Sequence, residues 1–240
     1  MSIIARTRII GVIVSFLVLA VLPASVQDVG WTGIADLPIS ALLLPPPCDK
    51  CAETKAELDE LRDWQRSRTP ELATHAQADH EKTLARFLDD PGIGLPTSQL
   101  QSCPQCTDFF ARLGRSVEAV NTVAKNKFRR TRPYKLPHNG LNPLKQMKAD
   151  DSFSYPSGHA AFATVVGIVL AQMVPEKRAE IFKRVEDFCR SRLIAGVHFR
   201  SDVYAGQILG SAVAVSLFRD EGFIRDFEAT KVLLRKALGL

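Results

Sequence analysis

Between Ala160 and Val174 the chain is apolar on every side, interrupted only by small or mildly polar residues, and Pro175 closes the run. A helix with no polar face has to be surrounded by other elements, so this segment predicts the centre of a helical assembly. A second mostly apolar stretch, Asp202 to Phe218, follows it. Both are shorter than the ~20 residues of a membrane-spanning helix, and the segment between them is highly charged. Buried core helices are therefore expected, with no stable membrane span.

The rest of the pattern is helical too. Ala56, Leu58, Leu61 and Trp64 recur among charges between Glu53 and Arg66. Thr69-Pro70-Glu71 supplies a capping residue, a proline at the first helical position and an acid in the first turn, and predicts a helix running to about Leu88. Further helices are expected from Thr107 to about Lys127, from Glu176 to about Ile194 and from Phe223 to Leu238. Sustained alternation and hairpin turn pairs are missing. Pro133, Pro137, Gly140 and Pro143 mark Thr131 to Ser154 as a long loop, and loops of that length in a compact domain are usually functional. The expected fold is all-α, a single-domain helical bundle over residues 51–240.

Ahead of that domain, Arg6 and Arg8 precede an apolar run from Ile9 to Leu22, followed by Pro23, Ala24 and Ser25. This is the pattern of a secretory signal, and residues 1–25 are expected to be removed on export to a periplasmic or secreted location. Residues 26–50, ending in three prolines, read as an extended arm over the domain surface. Four of the five cysteines form two C-x-x-C pairs, Cys48/Cys51 and Cys103/Cys106. Structural disulfides are favoured in an oxidising compartment; a four-thiolate zinc site and a redox dithiol are the alternatives. The two pairs are also far enough apart to cross-link to each other, and Cys189 reads as a buried free thiol.

The net charge of +5 suits an anionic substrate but is too small to argue for nucleic acid. Chemistry is concentrated in three blocks. The first is the basic run from Lys125 to Arg132-Pro133. The second is Tyr155-Pro156-Ser157-Gly158-His159 at the start of the central helix, where a capping serine and a glycine leave first-turn N–H groups open to an anion. The third is Ser191-Arg192 followed by His198 and, four residues on, Asp202, a spacing that lets a carboxylate fix one imidazole nitrogen and free the other.

Together the blocks read K-x6-R-P, P-S-G-H and S-R-x5-H-x3-D. They resemble the tripartite signature of the type 2 phosphatidic acid phosphatase (PAP2) and vanadium haloperoxidase superfamily, and within it the bacterial class A nonspecific acid phosphatases. The resemblance covers Lys125 to Asp202. It implies a phosphatase of the same helical type acting on small-molecule phosphomonoesters. His198 would be the nucleophile, Asp202 its orienting partner and His159 the acid, starting protonated. Lys125, Arg132, Ser157, Gly158 and Arg192 would bind the phosphate, with no metal or other cofactor needed. Phe153 and Ala160 depart from the glycine and threonine that flank the second block in class A enzymes, which leaves subfamily and substrate preference open. A membrane-surface lipid phosphatase and a vanadate-dependent haloperoxidase are the rival readings. His75 and His80 read as solvent-facing, His138 sits in the loop near the site, and apolar surface on the long helices leaves room for a homodimer.

Overall fold

The computed structural model describes residues 31, 34, 37–95, 97–144 and 152–240. The signal segment and the first residues of the arm lie outside them. The helices in chain order are α1 (Ile39–Leu42), α2 (Ala52–Ser67), α3 (Pro70–Ala78), α4 (Leu84–Leu88), α5 (Pro104–Phe128), α6 (Gly158–Met173), α7 (Arg178–Ile194), α8 (Arg200–Leu217) and α9 (Glu221–Leu238). Short 3-10 turns cover Thr97–Ser102, Pro133–Lys135 and Pro175–Lys177. Among the described residues there is no strand. The fold is the all-α bundle expected from the sequence.

The apolar run becomes α6, whose residues are nearly all buried, and α5, α7 and α8 pack around it. The closest approach is made by α8. A Cβ at Gly206 would lie 2.4 Å from the Ser157 carbonyl oxygen, and one at Gly210 2.6 Å from that of Ala161. Only glycine permits this spacing, so α8 is pressed against the first turns of α6. On the other side α9 turns Phe223, Phe227, Leu234 and Leu238 inward, and Trp31 packs edge-on to Phe223. No helix among the described residues is long and apolar enough to cross a membrane.

Two expectations change. The helix predicted from Thr69 to Leu88 is two helices, α3 and α4, broken at Asp79 to Thr83. Asp79 is fully buried and receives Arg184 Nη2 at 2.6 Å, Ser191 Oγ at 2.5 Å and Arg86 Nε at 2.8 Å. Thr83 then caps α4 by accepting from the Arg86 N–H. A buried carboxylate is tolerable only when paired, so this tertiary demand overrides the local helical signal. Within the arm, Ile39–Leu42 forms a helical turn, and Trp31, Ile34 and Leu43 belong to the core rather than lying over its surface.

The cysteines also resolve. Cys103 and Cys106 are bonded to each other, so the two pairs do not cross-link. Cys48, Cys51 and Cys189 are free, and only Cys189 is buried. Burial pushes its thiol up to about 12. The described residues contain no group of His, Cys, Asp or Glu arranged to hold a metal ion.

Candidate active site

The site forms where the N-termini of α6 and α8 meet. Ser157 caps α6, its hydroxyl accepting from the Ala160 N–H at 3.3 Å, while its own N–H donates to the Asp202 carbonyl at 2.9 Å. That bond locks the second sequence block to the third. Gly158 opens the helix with Asn121 of α5 against it: a Cβ there would lie 2.8 Å from the Asn121 Nδ2. The first turn of α6 thus presents its N–H groups under a ring of cations.

Three of those cations are the predicted ones, and all are buried. Lys125, in the last turn of α5, donates to the Phe153 carbonyl. Arg132 donates through Nε to the Ser152 carbonyl at 3.0 Å, through Nη2 to the Ser152 hydroxyl at 2.9 Å and through Nη1 to the Val197 carbonyl at 3.0 Å. Arg192, near the end of α7, donates to the Ala76 carbonyl at 2.7 Å. Burial lowers its guanidinium to about 10, which leaves it charged at any working pH.

His198 lies just before α8 and is buried. Its Nδ1 faces Asp202 Oδ2 at 3.3 Å and its Nε2 faces Arg132 Nη1 at 3.1 Å. A guanidinium only donates, so Nε2 is the acceptor and the proton sits on Nδ1 toward the carboxylate. Burial, then the Arg132 charge, push His198 down to about 3 against the pull of Asp202. Asp202 also accepts from the Phe199 N–H at 2.9 Å and the Ser154 hydroxyl at 2.5 Å. Burial alone would raise this carboxyl, but His198 and Arg130 hold it at about 2.

His159 lies in the first turn of α6. Its Nε2 faces the His80 carbonyl at 3.0 Å. Burial, then Arg192 and Lys82, push it well below the ordinary histidine value. Burial first, and then the cations gathered for an anion, thus disfavour the protonated ring in the free protein.

The structure brings together all eight residues singled out from the sequence and adds others. His80 is exposed, as expected, and its ring also stacks on His159 with centroids 5.8 Å apart. His75 is half-buried, 3.4 Å from Asp79 Oδ2. Arg130, hidden inside the basic run, donates to Asp202 Oδ1 at 2.7 Å. Only its position two residues before Arg132 hinted at it, and nothing local in the sequence marks His80. His138 is exposed in the turn after Lys135, at φ 53°.

A buried histidine, a carboxylate and three cations thus gather at the start of the central helix of the bundle, an arrangement suited to an anion. Residues 113–225 match the family model of the PAP2 superfamily. An acid phosphatase of Zymomonas mobilis subsp. mobilis is 32% identical over 167 residues, 68% of this chain and 62% of the relative. A non-specific acid phosphatase of Salmonella typhi is 40% identical over 89 residues, 37% of this chain and 36% of the relative. The chain thus spans less than two thirds of these curated relatives. The crystal structure of a bacterial vanadium-dependent iodoperoxidase superposes with a TM-score of 0.54 at 15% identity, over 73% of this chain and 51% of that one; this likeness is one of fold.

Proposed function

We propose that this protein is an exported acid phosphatase that hydrolyses small phosphate monoesters through a phosphohistidine on His198. The observation that carries the reading is the Arg132–His198–Asp202 line at the mouth of α6, with Nε2 unprotonated and Nδ1 directed at a carboxylate. Such a nitrogen is a competent in-line nucleophile. The names of the curated relatives point the same way.

The phosphoryl group rests on the first-turn N–H groups of α6, including that of Gly158, with the Ser157 hydroxyl beside them. Lys125, Arg132 and Arg192 neutralise its oxygens, and the arginine forks suit bidentate contact. Charge spread over three equatorial oxygens in the transition state is thereby met by side chains and helix dipole, with no metal required. Arg132 passes from Nε2 to a phosphate oxygen as the ester enters. Nε2 then attacks phosphorus as the P–O bond to the leaving group breaks, and Asp202 stabilises the imidazolium character that develops.

His159 supplies the proton to the departing alkoxide. Since burial and the nearby cations disfavour its protonated form in the free protein, we take that proton to arrive with the ester, whose second ionisation lies near pH ~6. The monoanion carries it in, and the bound dianion offsets the cations that oppose the proton on His159. Water, deprotonated by the now neutral His159, cleaves the P–N bond and returns inorganic phosphate. Export rests on the Arg6 to Ser25 pattern.

The test is p-nitrophenyl phosphate hydrolysis by the mature protein across acidic to neutral pH in excess EDTA, beside His198→Ala. Activity that persists in EDTA and disappears in the variant supports the reading. Activity lost to EDTA, or unchanged in the variant, rejects it.

A further inference from the structure

Asp202 has two partners competing for its charge. One oxygen serves His198 and the other lies 2.7 Å from Arg130 Nη1. Arg130 is itself buried, with 1% of its side chain exposed. Its guanidinium lies over the Phe199 ring, 3.9 Å from the centroid. On its far side Nη2 donates to Glu57 Oε2 at 2.8 Å and Thr54 Oγ1 at 3.2 Å, both on α2, and Nη1 also reaches the Ser201 hydroxyl at 2.7 Å. Glu57 takes the Ser201 backbone N–H at 2.6 Å as well. One carboxylate therefore ties α2 to both Arg130 and the first turn of α8. Helix α2 lies N-terminal to residues 113–225, outside the PAP2 match.

We propose that Arg130 is a positioning residue: gripped from behind by Glu57 and Thr54 of α2, it fixes the Asp202 carboxylate and so sets the orientation and charge state of His198. The inference rests on His198 being the nucleophile. Without Arg130 the carboxylate would keep His198, Ser154 and the Phe199 N–H, all on Oδ2, and with Oδ1 unheld would draw a proton onto the imidazole more strongly. With Arg130 on Oδ1 the carboxylate is held in one plane and part of its field is cancelled. The ring stays neutral, with a usable lone pair on Nε2, in the acidic range where the phosphate ester is a monoanion. Glu57 balances the guanidinium, so the buried array of Glu57, Arg130 and Asp202 does not carry an excess positive charge against Arg132 and Lys125.

The other charged groups acting on His198 are Arg132, Lys125 and Asp202, and His159 is electrostatically coupled to it from α6. The test changes none of these. Protein labelled with ¹⁵N in its five histidines is titrated by NMR, with His198 assigned by its loss in His198→Ala. Wild type, Arg130→Lys, Arg130→Gln and the charge-balanced double variant Glu57→Gln/Arg130→Gln are compared, each checked for folding by circular dichroism. The double variant covers the case in which Arg130→Gln alone fails to fold.

The expected result is that loss of the guanidinium charge raises the His198 protonation midpoint by about one unit or more, in Arg130→Gln or the double variant, while Arg130→Lys recovers part of the shift. A folded charge-loss variant with an unchanged midpoint and tautomer overturns the inference, as does a lysine variant indistinguishable from glutamine. These readings come from the free protein. Failure of His198 to take a phosphoryl group would reject the proposed mechanism and leave the Arg130 effect visible.

Discussion

Arg132 Nη1 and His198 Nε2 face each other at 3.1 Å, while Nδ1 of the same ring points at Asp202. The resting site therefore keeps Nε2, the proposed nucleophile, unprotonated by making it an acceptor, and covers it with the cation that the phosphate is proposed to claim. Asp202→Asn keeps the shape of the side chain but removes the charge that holds the Nδ1–H tautomer. We expect kcat to fall by about 10²- to 10⁴-fold with KM little altered, read by steady-state kinetics. A loss confined to KM would mean that Asp202 serves binding instead.

The pH profile follows from the directions of the two histidines. His198, pushed down to about 3, is neutral in the free protein near pH 5, and burial displaces His159 downward as well. The alkaline limb of kcat/KM then belongs to the ester, falling as pH rises through its second ionisation near ~6. Esters with different second ionisations should move the limb with them. A limb fixed at one pH for all esters would mean that an enzyme group sets it.

The buried Asp79 beneath Arg192 is a structural dependency. Arg184, Arg86 and Ser191 all converge on it, and burial is outweighed by Arg184 in keeping its carboxyl low. Asp79→Ala strands a fully buried guanidinium. Urea denaturation should show a loss of about 3–5 kcal/mol, and inorganic phosphate should bind more weakly because Arg192 is anchored beside it. A change within ~0.5 kcal/mol would contradict the packing described.

Gly206→Ala tests the α6–α8 approach. The added methyl would meet the Ser157 carbonyl at 2.4 Å, and backbone cannot move aside cheaply. A cost of about 1–3 kcal/mol in chemical denaturation is expected, together with reduced activity, since the Ser157 N–H to Asp202 carbonyl bond spans the same gap.

Much of this was legible in the sequence because it rests on local signals. An apolar run with no polar face, closed by Pro175, located α6. The four-residue spacing of His198 and Asp202 pointed to a carboxylate fixing one imidazole nitrogen, and Ser157 announced its cap. What escaped notice depends on elements distant in the chain. The Thr69–Leu88 pattern carries no sign that Asp79 will be pulled to Arg184 of α7, 105 residues on, so the break was invisible. His80 reaches His159 only because of that break. Arg130 gave no sign of its role because both its carboxylate partners, Glu57 and Asp202, lie more than 70 residues away in sequence. The proton on His159 is a related case: the chemistry asks for an acid, while burial and cations from distant elements disfavour the charged ring in the free protein.

The central claim is that a phosphoryl group passes through His198, and the most direct measurement is mass spectrometry of protein quenched in alkali during turnover of a phosphate monoester. The account predicts an acid-labile phosphoryl group on the His198 peptide, more abundant in His159→Ala, where hydrolysis of the intermediate is slowed, and absent from His198→Ala. Turnover with no label, or with the label on another residue such as Ser157, would contradict it.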